Sequence, residues 1–183
     1  QVSYGSLWAI PVYDGKDLWV SAENGGKIAI GRFDKELNQL GESKEVATQQ
    51  DTATEDGIAD HKHLFQDGHH YLTFSVSGGG QGGYLYLLKL DKDLTRKALI
   101  TVAAKVPPTN DMLMVGDGSN VFVGKFHPGV GHDIYGFDKD LNAKGKITIG
   151  TPGSHHANGA AALYVDGLFH IAAPETLAPG ENK

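Results

Sequence analysis

The residues most able to do chemistry lie in "GIADHKHLFQDGHHYL" (57–72), which holds Asp60, His61, His63, His69 and His70, four of the nine histidines in the chain. His61 and His63 are two apart, so on a strand both imidazoles face the same way and could bind one metal ion. A second group comes about a hundred residues later in "SHHANG", with His155, His156 and Asn158. Between them "NDMLMV" supplies Asp111. His61, His63, His155 and His156, with an Asp, would make a three- or four-ligand site of N/O type. There is no cysteine, so a divalent ion of the Zn, Cu, Mn, Fe or Ca kind is the cofactor implied. The competing role for His61 and His63 is structural: core histidines satisfied by hydrogen bonds inside the fold.

These residues need elements to hold them. An Asp-Gly pair follows an apolar run at Asp14, Asp67, Asp117 and Asp166, at intervals of 53, 50 and 49 residues. A second marker, "FDKEL", "LDKDL" and "FDKDL", trails the first three pairs by 20, 24 and 21 residues. The runs between markers are short, rich in β-branched and aromatic residues, and bounded by turn formers, so they read as strands. Asp-Gly between two such runs predicts a type I′ hairpin at each of the four positions. Four antiparallel strands about every fifty residues is the pattern of a β-propeller blade. The class expected is therefore all-β: a propeller of four-stranded antiparallel blades, spanning roughly 4–47, 57–103, 108–150 and an incomplete 155–183. The fourth marker would fall near residue 187, past Lys183, so the chain is expected to hold about three and a half blades. Ring closure then calls for a further C-terminal part or self-association of copies.

In a propeller the first strand of each blade lines the central channel, and ligands gather where those strands begin. Counting back from each Asp-Gly brings Asp60, His61 and His63, then Asn110 and Asp111, then His155, His156 and Asn158 to that level. Trp8 in the first unit offers a stacking platform for a sugar face. His69 and His70 follow the turn and read as exposed hairpin residues. His127 and His132 flank "PGVG" and read as exposed loop residues, and His170 reads as strand packing. "SVSGGGQGGYLY" lacks Gly-Lys-Ser/Thr and a following helix, so it is a strand connection rather than a phosphate loop. "DKDLNAKGK" lacks the Gly and Glu of a calcium loop and recurs in other units, so it is a turn.

Composition narrows the partners. A net charge of −6 argues against nucleic-acid binding. No apolar run approaches the ~20 residues of a membrane span. The absence of cysteine and a first residue Gln1 rather than Met suggest a processed, extracellular or periplasmic protein.

The second unit, "ADHKHLFQDGHHYLTFS", resembles a blade of the furanosidase-type glycoside hydrolases, the five-bladed arabinanase-like propellers, in its Asp60, Asp67-Gly68 and Tyr71-Leu72. "NDMLMVGDGSNVFVG" is similar, with Asp111. The resemblance implies Asp60 as a general base and Asp111 as a carboxylate that tunes the acid. Hydrolysis needs a second catalytic carboxyl, which in that family is a Glu opening the next inner strand. Here that place reads "GSHHANG", with no Glu; Glu175 belongs to the far end of the second strand, and His156 would be the proton donor at hand. The function expected is an exported ligand-binding propeller, holding a carbohydrate or a metal ion at its channel mouth through Trp8, Asp60, His61, Asp111, His156 and Asn158. The alternatives are a hydrolase or lyase using Asp60 with a histidine, and a structural module that docks protein.

Overall fold

A computed structural model describes residues 9–52, 57–76, 82–107, 112–127, 131–150 and 161–172. The first sheet is β1 (Ala9–Tyr13), β2 (Leu18–Asn24), β3 (Lys27–Phe33) and β4 (Lys44–Ala47). The second is β5 (Ile58–Gln66), β6 (His69–Val76), β7 (Gly83–Asp91) and β8 (Arg96–Val106). The third is β9 (Met112–Gly116), β10 (Asn120–His127), β11 (Gly131–Asp138) and β12 (Ala143–Ile149), and a hairpin of β13 (Ala161–Val165) and β14 (Leu168–Ala172) follows. Each four-stranded sheet is antiparallel with its strands in sequence order, so each is a meander of the blade type predicted by the repeat. A 3₁₀ turn at Gln49–Asp51 leads from the first sheet toward the second. Residues 1–108 and 109–183 form two compact units.

The repeated markers are turns of one build. In each, an aspartate (Asp34, Asp91, Asp138) accepts an amide hydrogen bond from the leucine three residues on, at 3.0 Å. Its carboxylate also accepts the amides two and four residues on, at 2.8–3.0 Å. The leucine takes a left-handed conformation: φ is 65° at Leu37, 59° at Leu94 and 64° at Leu141. That backbone disfavours a branched side chain by roughly 1–2 kcal/mol. Leu94 and Leu141 offset this by burial, at 7% exposure each, whereas Leu37 is 68% exposed.

The Asp-Gly turns divide into two kinds, which corrects the expectation of four type I′ hairpins. Asp67-Gly68 and Asp166-Gly167 have positive φ at both residues, the I′ pattern. At Asp14 and Asp117 only the following glycine is left-handed. There the carboxylate reaches round a longer turn, accepting from Lys16 and Asp17 in the first case and from Ser119 and Asn120 in the second.

In the first unit the two sheets share a core of Trp19, Ile28, Ile30 and Val46 from one side and Leu72, Phe74, Tyr86, Leu88, Leu90 and Leu94 from the other. Strand alternation decides what faces it. The register pairs His61 with Phe74, His63 with Leu72 and Phe65 with His70, so these three histidines share the apolar face of the second sheet.

Candidate functional site

Asp60 opens the inner strand of the second sheet. It is 4% exposed, accepts the His61 amide N–H on Oδ1 at 2.8 Å and has the Lys62 ammonium at 3.9 Å. Alternation puts its carboxylate on the face opposite His61 and His63. Asp60 and the two imidazoles therefore belong to one strand but to different sides of the sheet.

The imidazoles are engaged within the core. His61 Nε2 lies 3.0 Å from Ser21 Oγ on β2, and His63 Nε2 lies 3.0 Å from His70 Nδ1. His70 is fully buried, edge-on to Trp19 at 4.6 Å and to Phe65 at 4.8 Å. The reading of His70 as an exposed hairpin residue is thus overturned: it alternates with Leu72 and Phe74 on the core face, and only His69, across the strand, is partly exposed. Burial lowers the His61 imidazole to about 4, with the Lys62 charge adding to the effect and the Ser21 contact opposing it. Burial likewise lowers His70 to about 4, against the pull of Asp14 and Asp91. His63 is held well below its ordinary value by burial, then by His70 and His61. All three are neutral at pH 7. Nδ1 of His61, Nδ1 of His63 and Nε2 of His70 are buried with no hydrogen-bond partner among the described residues.

Of the other residues expected at the site, Trp8, Asp111, His155, His156 and Asn158 lie outside the described residues. Among the described residues no group of three or more His, Asp or Glu is arranged to hold a metal ion.

A polar cluster in the third sheet escaped the sequence reading. Asp133, 6% exposed, accepts from Thr148 Oγ1 at 2.5 Å and pairs with Lys146 Nζ at 3.0 Å, while His127 Nε2 approaches to 3.6 Å and the Tyr135 hydroxyl to 3.5 Å. Burial pushes the Asp133 carboxyl up, but the Thr148 hydroxyl and the Lys146 ammonium outweigh it and leave the group below its usual value. His127 is lowered, chiefly by burial, with Asp133 opposing. His127 is half-buried and His132 is 2% exposed against Phe126, so neither is the exposed loop residue expected. The reason is that β10 runs on to His127 and β11 begins at Gly131, and the two residues pair there. His170 does lie on a strand, but exposed. The signal for Asp133 was its alternation with Tyr135 next to a Lys146/Thr148 strand.

No protein-family model and no curated protein matches the chain. Solved structures do. An exo-β-1,3-galactanase from Phanerochaete chrysosporium, solved with β-1,3-galactotriose, matches at TM-score 0.62 and 11% identity over 92% of this chain and 43% of its own. A GH43 protein from Bacillus licheniformis matches at TM-score 0.60 and 12% identity over 91% of this chain and 36% of its own. An α-L-arabinofuranosidase from Clostridium thermocellum matches at 0.57 and 17%, over 91% and 60%. The chain spans less than half the length of the first two. At these identities the likeness establishes the fold: this chain is part of a β-propeller of four-stranded antiparallel blades, about three and a half of them, resembling the blades of GH43 propellers.

Proposed function

We propose that this propeller binds a carbohydrate, with Asp60 as a polar anchor where the inner strand of the second blade begins. The observation that carries the reading is the carboxylate itself. It is shielded from bulk water at the strand end where propellers take ligands, in a fold whose solved neighbours include glycan-processing proteins. A carboxylate accepts hydrogen bonds from sugar hydroxyls, and in a shielded setting those bonds gain strength. Trp8 as a stacking surface, with Asp111, His156 and Asn158, belongs to the same proposal, as does an extracellular or periplasmic setting. The metal-ion alternative has less support, because His61 and His63 turn one nitrogen each to Ser21 and His70.

A glycoside hydrolase with Asp60 as base is the second reading, favoured by the activities named for the neighbours. Against it stands the fourth inner segment, which opens "GSHHANG" without a carboxylic acid. A glycan array and a panel of aryl glycosides, run on the wild type and on Asp60→Asn, separate the two. Binding without turnover, lost in Asp60→Asn, supports the carbohydrate-binding reading; turnover lost in the variant supports the hydrolase. Glycan binding that survives Asp60→Asn unchanged removes Asp60 from either role.

A further inference from the structure

Lys62 follows Asp60 by two positions on β5, so the two side chains stand on the same face of the second sheet. The ammonium comes to 3.9 Å from the carboxylate, on the same Oδ1 that accepts the His61 amide. That separation makes an ion pair but not a hydrogen bond, since a direct charge-assisted contact closes to about 2.8 Å. Across the strand Lys62 pairs with Thr73, whose hydroxyl donates to the Tyr86 carbonyl at 2.9 Å. Among the described residues, Asp60 is the only carboxylate within ion-pair distance of Lys62. The Lys62 side chain is 28% exposed and that of Asp60 4%, so a solute reaches the pair from the side of the ammonium.

We propose that Asp60 and Lys62 form a clamp for one sugar hydroxyl, which donates its proton to Asp60 Oδ1 and accepts a hydrogen bond from Lys62 Nζ. A hydroxyl oxygen about 2.7 Å from the carboxylate and about 2.9 Å from the ammonium fits between partners 3.9 Å apart. A carboxylate oxygen accepts more than one hydrogen bond, so the His61 amide leaves Oδ1 able to take a second donor. The ammonium only donates and the carboxylate only accepts. A ligand group that serves both must give and take at once, which a hydroxyl does and an ether oxygen does not. Held between opposite charges in a shielded place, the hydroxyl is polarised in one direction, and each bond strengthens the other.

The same geometry sets the charge of the ligand. A carboxylate or sulfate drawn to Lys62 comes about as near to Asp60, whose repulsion offsets the attraction. The clamp therefore selects a neutral saccharide with a free hydroxyl at the bridging position. This inference rests on the carbohydrate reading, to which it adds Lys62 as a binding residue and the class of sugar.

The test is a glycan array holding neutral xylo-, arabino- and galacto-oligosaccharides beside uronate-, sialate- and sulfate-bearing ones. Calorimetry follows on the strongest hit and its monodeoxy analogues. Expected are neutral hits, with Kd weakened by at least about tenfold in Lys62→Met, which keeps the stem and removes the ammonium. One deoxy analogue should bind wild type and Lys62→Met alike, because it lacks the hydroxyl on which Lys62 acts, while the others keep the difference. Should Lys62→Met fail to fold, Lys62→Gln, which retains a neutral donor, is expected to show the same pattern at roughly threefold. Binding in these variants within about twofold of wild type, or a loss equal across all analogues, overturns the clamp and leaves the carbohydrate reading standing. Hits confined to acidic glycans do the same. A wild-type protein that binds nothing on the array removes the carbohydrate reading and the clamp with it.

Discussion

Acid should unfold the first unit through its histidine core before its carboxylates respond. His61 and His70 titrate near 4 in the fold, against an ordinary value of 6.5. As pH falls through about 6.5 the unfolded chain takes up these protons, while the fold refuses them until about 4. The stability they contribute is therefore complete above 6.5 and is lost progressively down to 4. Each imidazole is worth about 1.4 kcal/mol per pH unit across that window, so two give ~2.7 kcal/mol per unit. By pH 5 the loss is about 4 kcal/mol, a large part of a total on the order of 10 kcal/mol. His63 is lowered as well and acts with the same sign. Urea unfolding at pH 7.5, 6.0 and 5.0, at constant ionic strength, measures the slope. Carboxylates cannot imitate it: Asp14 and Asp51 are lowered below 3.8, and Asp91 to about 2, so stability linked to them is lost only below about pH 4. Replacing both partners of the imidazole pair, His63→Leu with His70→Phe, leaves no unmatched hydrogen-bonding group from that pair and should cut the slope by at least half. A wild-type stability that is flat from pH 7 to 5, or an undiminished slope in the double variant, refutes the reasoning.

The two kinds of left-handed leucine can be told apart by substitution. Leu37→Gly relieves backbone strain at an exposed site and should change unfolding free energy by less than about 0.5 kcal/mol, whereas Leu94→Gly should cost about 2–3 kcal/mol through lost burial, both read from urea midpoints. Gly124→Ala would place a methyl 2.5 Å from Leu113 Cγ; overpacking of this kind costs about 1–3 kcal/mol, and thermal denaturation should show it. Asp133→Asn removes the negative charge that opposes the lowering of His127, so a histidine NMR titration should find His127 lower still, while an unchanged His127 would disconnect the two groups.

The architecture was legible because it is repetitive. Asp34, Asp91 and Asp138 each hold a turn through the same amide contacts, and a pattern set by local hydrogen bonds survives in the sequence as Asp-Lys-x-Leu. The choice between two Asp-Gly turns was not legible from the pair itself. Lys16-Asp17 and Ser119-Asn120 offer amides that the aspartate can reach, and His69 and Leu168 begin strands instead. Asp60 could be located by counting from its turn. The side of the sheet on which it lies follows from alternation, and the same alternation, applied to His70, Leu72 and Phe74, would have put His70 in the core. Counting histidines left a metal site and core histidines both open; only the partners contributed by other strands, Ser21 above all, reveal how His61 is used.

Every strand in the three complete sheets bonds to its neighbour in sequence. Pairing of this kind closes only short loops, so each sheet can assemble from local hairpins with little loss of chain entropy. Such hairpins form in microseconds. The slow events are then the encounters of preformed sheets, where side chains such as Ser21 and His61, forty positions apart in the chain, must find each other. Folding of this chain should accordingly divide into a fast phase indifferent to substitutions at the interface between the first two sheets and a slower one governed by them.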